Sequence, residues 1–161
     1  MMKVLVLSDS HGATKTIIKA VEKELPDYIL HLGDNERDCK IISDLHPDIP
    51  LRVVRGNCDG LSKSSATEGF TLGDKRFLMT HGHNFYVKSS LIRLKKYADE
   101  QKPDIVLFGH THVQHKEVWE DMLFINPGSV GVGSIKEYAV ITINDGEVDV
   151  SIKNLSDGSI T

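Results

Sequence analysis

The stretch KVLVLSDSHG (residues 3–12) decides the fold, because a short aliphatic run passes directly into polar residues and a glycine. Two similar stretches follow it, YILHLGD (residues 28–34) and LRVVRGN (residues 51–57). Between them, the spacing of apolar residues predicts helices over Thr14–Leu25 and Asp38–Leu45, the latter with Ile41, Ile42 and Leu45 on one side. This β-α-β-α-β order predicts parallel strands joined by right-handed crossovers.

The rest of the chain is richer in strands. Gly73-Asp74 and Asn144-Asp145-Gly146 have the composition of hairpin turns, and a helix is predicted over about Ser89–Glu100. The strands predicted in this part are Phe70–Leu72, Arg76–Thr80, Asp104–Phe108, Lys116–Trp119, Met122–Ile125, Ala139–Ile143 and Glu147–Ile152. The residues alone therefore predict one α/β domain over 1–161, parallel at first and antiparallel later.

Composition excludes several classes of protein. The chain has 161 residues, 19 basic against 23 acidic, with no basic block, which argues against duplex nucleic acid as a partner. Two cysteines are too few for a disulfide framework and fit a reducing compartment. No stretch approaches the roughly 20 apolar residues of a membrane span. We therefore expect a cytoplasmic protein that does not bind membranes.

Five predicted strands are followed at once by residues that bind metals in proteins. The motifs are Asp9-x-His11, Gly33-Asp34, Gly56-Asn57, His81-Gly82-His83 and Gly109-His110-Thr111-His112. The carboxyl ends of parallel strands lie at one edge of a sheet, where ligand sites form. The glycines are expected to allow sharp exits from the strands. The motifs therefore predict one convergent metal site.

The predicted ligands are two carboxylates, one amide and four imidazoles: Asp9, His11, Asp34, Asn57, His81, His110 and His112. They exceed the four ligands of a tetrahedral ion and suit two ions that share a carboxylate. A nitrogen and oxygen donor set without thiolates favours transition metals over calcium and over a structural zinc site. Manganese is the expected metal, with iron, cobalt, nickel and zinc as alternatives.

Paired divalent ions attract phosphate esters and lower the pKa of bound water from about 16 to about 7. The expected function is hydrolysis of a small phosphate ester, in the first place a diester, by a metal-bridging hydroxide attacking phosphorus in line with the leaving oxygen. No side chain in the motifs resembles an activated nucleophile, so a covalent phospho-enzyme is not expected.

The order of these motifs resembles that of the calcineurin-like metallophosphoesterases. Gly56-Asn57-Cys58-Asp59, Thr80-His81-Gly82-His83 and Asn126-Pro127-Gly128-Ser129 are similar to the small YfcE-type phosphodiesterase branch. The resemblance implies a four-layer α/β/β/α sandwich of two mixed sheets flanked by helices. It implies that Asp34 bridges the two ions, that one ion is held by Asp9, His11 and His112, and that the other is held by Asn57, His81 and His110. It also implies a homodimer or a higher oligomer.

Several alternatives stay open at this point. Many relatives of this superfamily have histidine where Cys58 stands, acting as general acid; the leaving group would here be protonated by His83 or water, or would leave easily. Cys58 could equally be a small buried residue in a tight turn. Asp9 and Asp34 could be helix N-caps. The rival function is a non-catalytic scaffold, as in the retromer subunit that this chain resembles, and a nuclease would lack a basic groove.

Overall fold

The computed structural model of the protein describes residues 1–155, which form ten strands and three α-helices. The strands are β1 (Met2–Leu7), β2 (Tyr28–His31), β3 (Leu51–Val53), β4 (Thr67–Leu72), β5 (Lys75–Thr80), β6 (Ile105–Leu107), β7 (His115–Trp119), β8 (Met122–Asn126), β9 (Glu137–Asn144) and β10 (Glu147–Asn154). The helices are α1 (Thr14–Glu24), α2 (Asp38–Leu45) and α3 (Ile92–Gln101), and a short 3-10 helix spans His83–Phe85.

The strands form two mixed sheets of five strands each. The first sheet has the order β10-β9-β1-β2-β3, with β1, β2 and β3 parallel and β9 antiparallel to β1. The second has the order β4-β5-β6-β8-β7, in which β5, β6 and β8 are parallel. The predicted parallel start of the chain is confirmed. Antiparallel pairing occurs on one side of the first sheet, where β9 lies between β1 and β10, and at both edges of the second sheet, where β4 pairs with β5 and β7 with β8.

Alternate residues of β1 face different layers, which shows how the sandwich is built. Val4 and Val6 pack between the two sheets, in a cluster that includes Phe77 and Ile105 of the second sheet. Leu5 and Leu7 pack on the opposite face, in a cluster that includes residues of α1 and α2. A third cluster joins the outer face of the second sheet to α3. The expected four-layer α/β/β/α sandwich is confirmed.

Both predicted hairpin turns are present. Gly73 and Asp74 join β4 to β5, and Asp145 and Gly146 join β9 to β10. All four residues have positive φ, with values of 55°, 67°, 49° and 82°. This backbone is the one that two-residue hairpins require, and glycine and aspartate adopt it at low cost.

Helix α2 differs from its predicted packing. Ile42 is buried as expected, but Ile41 and Leu45 are 43% and 54% exposed, and Cys39 is buried instead. The helix lies near the short edge strand β3, so only a narrow face is covered. Helix α3 begins at Ile92 and not at Ser89, and its buried face contains Leu94 and Ala98. Within residues 1–155, none of the helices combines the length and apolarity needed to traverse a bilayer.

A buried carboxylate fastens the end of α1 to the β9–β10 hairpin. Tyr138 donates a hydrogen bond of 2.7 Å to Glu24, and Lys153 donates to both Glu24 oxygens at 3.1 and 3.2 Å. Burial acts to raise the pKa of Glu24, but these hydrogen bonds and the positive charge of Lys153 outweigh it and lower the pKa. The ionised carboxylate is therefore part of the folded structure.

We expect Tyr138→Phe to lower the free energy of unfolding by about 1–3 kcal/mol, because the buried Glu24 loses a donor. Urea unfolding followed by circular dichroism measures the change. Tyr86→Phe is the matched control, since Tyr86 is 60% exposed; its effect should stay within about 0.5 kcal/mol. Equal unfolding midpoints for Tyr138→Phe and the wild type would contradict this account.

Candidate metal centre

The seven predicted ligands follow strands of both sheets. Asp9, Asp34 and Asn57 follow β1, β2 and β3 of the first sheet. His81 follows β5 of the second sheet directly, and His110 lies shortly after β6. The remaining two, His11 and His112, lie two residues beyond Asp9 and His110. The site therefore lies where the carboxyl ends of parallel strands from two sheets meet.

The two carboxylates contact the imidazoles of the cluster directly. Asp9 Oδ1 lies 3.2 Å from His112 Nε2 and 3.8 Å from His11 Nε2. Asp34 Oδ2 lies 3.6 Å from His11 Nε2 and 3.3 Å from His81 Nε2. His11 thus lies between the two carboxylates, and the carboxylates link both parts of the cluster.

His81 lies at the centre of the second group. Its Nε2 atom lies 3.0 Å from Asn57 Oδ1 and 3.2 Å from His110 Nδ1. In two sets of three residues the candidate ligand atoms lie within 4.8 Å of one another: Asp9, His11 and His112, and Asp34, His81 and His110. The structure thus brings all seven predicted residues together. A third such set joins His11, Asp34 and Cys58, and Cys58 was not among the predicted ligands.

The hydrogen bonds of His81 fix the protonation of its ring. Nδ1 lies 2.8 Å from the Leu32 carbonyl oxygen, which can only accept, so Nδ1 carries a proton and donates it. In the neutral ring Nε2 then has a lone pair, and this lone pair points at the oxygens of Asp34 and Asn57. Such a group of acceptors is stable only with a cation among them, which is either a proton or a metal ion.

The pKa values of the central pair follow from this arrangement. Burial acts to lower the pKa of His81, but the hydrogen bond to Asp34 and the charges of Asp9 and Asp34 raise it overall. Burial acts to raise the pKa of Asp34, but the hydrogen bonds from His81 and from the Cys58 N–H lower it well below its usual range. Both pKa shifts have the same cause: positive charge between His81 and Asp34 is stabilised by the surrounding acceptors.

His110 is neutral at physiological pH. Burial, followed by the charges of His81 and Lys88, lowers the pKa of His110 to about 4. A neutral imidazole has the lone pair that a metal ion requires. His110 Nδ1 is therefore available as a ligand without first losing a proton.

The backbone is strained at the ligand positions. Asp9, His11, Asp34, His110 and His112 have positive φ values of 55°, 45°, 61°, 69° and 62°. Residues other than glycine rarely adopt this region, and each such residue costs of the order of 1 kcal/mol or more. Strain at five of the seven candidate ligands shows that the surrounding structure holds these side chains in place.

Gly56 and Gly109 are required because no side chain would fit at these positions. They do not provide the sharp exits from the strands that the sequence predicted. Neither has positive φ. A Cβ on Gly56 would collide with the Asp34 carboxylate and backbone, and one on Gly109 would collide with the Ser8 hydroxyl and the Asp9 carboxylate. Their role is to let the chain pass close behind the two aspartates.

Asp59 fixes the two loops that follow β2 and β3, a role that the sequence analysis missed. Its carboxylate accepts hydrogen bonds from the backbone N–H groups of Asp34 at 2.9 Å, Asn35 at 2.8 Å, Glu36 at 3.0 Å and Gly56 at 2.8 Å. The only signal in the sequence was its place in Gly56-Asn57-Cys58-Asp59. Asp59 thus holds Asp34 and Asn57 in register.

A second buried chain of hydrogen bonds supports the loop after β1. The Gly33 N–H donates to His31 Nδ1, so the neutral His31 ring donates through Nε2 to Ser10, 3.0 Å away. Ser10 in turn donates to Asp38 at 2.6 Å. Burial lowers the pKa of His31, which keeps the ring neutral. His31 therefore has a structural role beneath the site.

The turn at Asn126-Pro127-Gly128-Ser129 packs beneath the site. Asn126 donates to the Gly109 carbonyl at 3.2 Å and to Thr111 at 3.0 Å. Ser129 donates to the Asp9 carbonyl at 2.9 Å. The turn therefore supports both loops that place Asp9 and His110.

Two of the alternatives are excluded by the geometry. The N-cap residues of α1 and α2 are Ala13 and Arg37, so neither Asp9 nor Asp34 caps a helix. Cys58 is exposed, so it is not a small buried residue. Its Sγ atom lies within 4.8 Å of ligand atoms of His11 and Asp34. Partial desolvation and the Asp34 charge raise the pKa of its thiol.

His83 lies beside the cluster. Its ring centroid is 5.3 Å from that of His81 and 6.2 Å from that of His110. Burial and the nearby His81 lower the pKa of His83. Its Nδ1 atom is buried and has no hydrogen-bond partner among residues 1–155. The ring is thus neutral, with one nitrogen left without a partner.

Comparison with known proteins agrees with this geometry. The sequence model of the calcineurin-like phosphoesterase superfamily domain matches residues 2–146. The probable metallophosphoesterase YsnB of Bacillus subtilis is 36% identical over 151 residues, covering 89% of this chain and 86% of that protein. The phosphodiesterase YfcE of Escherichia coli K12 is 26% identical, covering 99% of this chain and 96% of that protein.

A solved structure gives the same fold. Vps29 of Entamoeba histolytica, crystallised with zinc, matches with a TM-score of 0.81 over 98% of this chain and 94% of that chain, at 24% identity. At this identity the match supports the fold alone. Two sheets in a sandwich, a cluster of aspartates and histidines at their shared edge, and a family match over most of the sequence agree with one another, and the chain belongs to the calcineurin-like phosphoesterase superfamily.

Proposed function

We propose that the chain is a phosphodiesterase that uses two divalent metal ions and in-line attack of a hydroxide shared between them. The single observation that carries the proposal is the crowding of acceptors around His81 Nε2. The Asp34 carboxylate at 3.3 Å and the Asn57 oxygen at 3.0 Å face a nitrogen whose ring proton is on the other side. Cations relieve this crowding.

The residues fit two ions with shared ligation. Asp9, His11 and His112 would hold one ion, and Asn57, His81 and His110 the other, with Asp34 placed to contact both. When bound, such ions supply positive charge for the phosphate oxygens and make water acidic enough to give a nucleophile near neutral pH. The donor set favours manganese, with iron, cobalt, nickel and zinc as alternatives.

The protein itself orients the reacting groups. Asn57 is exposed at the mouth of the cluster, where its side chain can reach both an ion and the substrate. The neutral ring of His83 lies beside His81 and His110, positioned to donate a hydrogen bond to a phosphate oxygen or to the leaving oxygen. The Cys58 thiol, with its raised pKa, stays protonated and is a poor nucleophile.

The rival function is a metal-binding scaffold that recognises another protein. The similarity in fold to Vps29, a protein named for vacuolar protein sorting, favours this alternative. The complete set of seven ligands favours the enzyme, since hydrolysis needs two ions beside the reacting water and recognition of another protein does not. Metal-dependent turnover separates the two.

We also propose a cellular compartment and an oligomeric state for the protein. Both cysteines are free in the described structure, with Cys39 buried and Cys58 exposed, which agrees with a reducing compartment such as the cytoplasm. We propose a small phosphate ester as the substrate, no duplex nucleic acid as a partner, and a homodimer or higher oligomer as the assembly.

The first prediction concerns metal stoichiometry and turnover. The chelated wild type should bind two Mn²⁺ ions per chain and then hydrolyse bis(p-nitrophenyl) phosphate. Asp34→Asn should bind fewer ions and lower kcat/KM by about 100-fold or more, because it removes a charge that the ions require. Calorimetric titration and absorbance at constant pH measure the two quantities.

Asp44→Asn is the matched control for this change, because the Asp44 carboxylate is 66% exposed and pairs with Lys40 on α2. It should bind two ions and keep wild-type turnover. If the metal-loaded wild type showed no turnover and Asp34→Asn behaved identically, the scaffold would be the better account.

The second prediction concerns pH. Because the pKa of His81 is raised above its ordinary value of 6.5, a proton on Nε2 competes with the metal below this raised pKa. The affinity for Mn²⁺ should therefore increase with pH, by up to about tenfold per pH unit while His81 is protonated.

Calorimetry in two buffers of different ionisation enthalpy counts the proton that is released when Mn²⁺ binds. His46→Gln, outside the cluster, should keep this dependence; a flat affinity between about pH 6 and 8 would refute it.

The third prediction concerns the leaving group. Cys58→Ala should retain kcat within about threefold of the wild type on bis(p-nitrophenyl) phosphate, because p-nitrophenolate leaves without protonation. His83→Asn should lower the rate more on a diester with an aliphatic leaving group than on the aryl diester. Loss of most aryl-ester activity in Cys58→Ala would instead give the thiol a direct role in catalysis.

A further inference from the structure

The side chain of His11 is held less firmly than that of His81. The His11 ring makes no hydrogen bond within residues 1–155, and its Nε2 atom lies 3.6 Å from Asp34 Oδ2 and 3.8 Å from Asp9 Oδ1. The side chain is 31% exposed. His81, by contrast, is fully buried and donates to the Leu32 carbonyl at 2.8 Å. The position of the His11 ring therefore depends on the backbone that carries it.

The backbone at His11 has a conformation that it does not adopt easily. His11 and the next residue, Gly12, have φ values of 45° and 86°. Glycine adopts positive φ readily, but histidine does so at a cost of the order of 1 kcal/mol or more. Such a conformation persists only where neighbouring contacts hold the chain. The contacts on either side of His11 therefore decide where its ring lies.

One carboxylate oxygen holds the chain on both sides of His11. The Ser10 hydroxyl donates to Asp38 Oδ2 at 2.6 Å, and the Gly12 N–H donates to the same oxygen at 2.9 Å. Asp38 Oδ1 accepts a longer hydrogen bond of 3.3 Å from the Asn35 side chain. Asp38 is 4% exposed and is the first residue of α2. A helix N-terminus stabilises a carboxylate, so the loop is attached to a well-placed anchor.

Other metal ligands are held by groups other than Asp38. Asp9 Oδ2 accepts the His110 N–H at 3.1 Å, and Asp9 Oδ1 lies 3.2 Å from His112 Nε2. The Asp34 N–H donates to Asp59 at 2.9 Å. These contacts do not involve the Asp38 carboxylate. Its loss would therefore act on the metal centre through His11.

We propose that Asp38 is a positioning residue that sets the affinity of one of the two metal ions, because it fixes the backbone on both sides of His11. This ion is the one assigned to Asp9, His11 and His112. Loss of a group that orients a metal ligand lowers metal affinity by about 10- to 100-fold. The inference rests on the proposed dinuclear centre and adds a residue that controls the two ions unequally.

Calorimetric titration of the chelated protein with Mn²⁺ tests this role. Asp38→Ala should weaken the binding of one ion by about 10- to 100-fold and leave the Kd of the other within about threefold of the wild type. Asp38→Asn keeps an oxygen that can accept both hydrogen bonds, so its loss should stay below about tenfold. Asp44→Ala is the matched control, because its carboxylate lies on the same helix and is 66% exposed; it should bind both ions as the wild type does.

A double-mutant cycle shows whether Asp38 acts through His11. His11→Ala should itself weaken one ion, and the addition of Asp38→Ala should then cause at most about a twofold further loss. Independent losses from the two changes would overturn the proposal. A similar loss for both ions in Asp38→Ala would also overturn it, because a general loosening of the fold has that effect.

Ser10→Ala is the second variant, for use if thermal unfolding shows that Asp38→Ala does not fold. It removes one of the two hydrogen bonds and keeps the carboxylate at the start of α2, so it should weaken the same ion by about three- to tenfold. Unchanged affinity for both ions in either folded variant would overturn the role of Asp38 and leave the dinuclear centre intact. A wild type that binds fewer than two Mn²⁺ ions would refute the dinuclear centre and, with it, this role.

Discussion

The structure depends on a concentration of negative charge and lone pairs at the edge shared by two sheets. The Asp9 and Asp34 carboxylates, the Asn57 oxygen and His110 Nδ1 all lie within 4 Å of His81 Nε2, which is fully buried. Acceptors this close repel one another unless positive charge lies among them. The raised pKa of His81 and the lowered pKa of Asp34 are two expressions of that need. A site that demands cations so strongly is suited to bind them.

Holding these groups together requires rigid support, and the loops supply it through their own backbone. Five ligands have left-handed backbone conformations that the surrounding hydrogen bonds maintain. Asp59 accepts four backbone N–H groups from the loops after β2 and β3. The Asn126–Ser129 turn supports the loops after β1 and β6. The hydrogen bonds of Asp59 also fix the segment 35–37, which lines a neighbouring pocket together with residues 58–62.

The sequence predicted some features better than others, for physical reasons. The change from the aliphatic strand Val4–Leu7 to the ligand Asp9 could be recognised in the sequence, because aliphatic and metal-binding side chains differ sharply in chemistry. The buried face of α2 was harder to predict from the sequence. Ile41 and Leu45 are apolar like Ile42, but of these three residues only Ile42 is buried. Asp59 looked like an ordinary loop aspartate, because its role depends on N–H groups distant in the sequence.

The sequence by itself determined the order of elements, the parallel start of the chain and the seven candidate ligands, since these follow from local periodicity and residue chemistry. Only the tertiary structure decided how the two sheets face each other, that His81 donates through Nδ1 to Leu32, and that Cys58 is exposed. It alone also revealed the pocket between residues 35–37 and 58–62. The reason is that such features arise from contacts between segments far apart in the chain, which local periodicity does not encode.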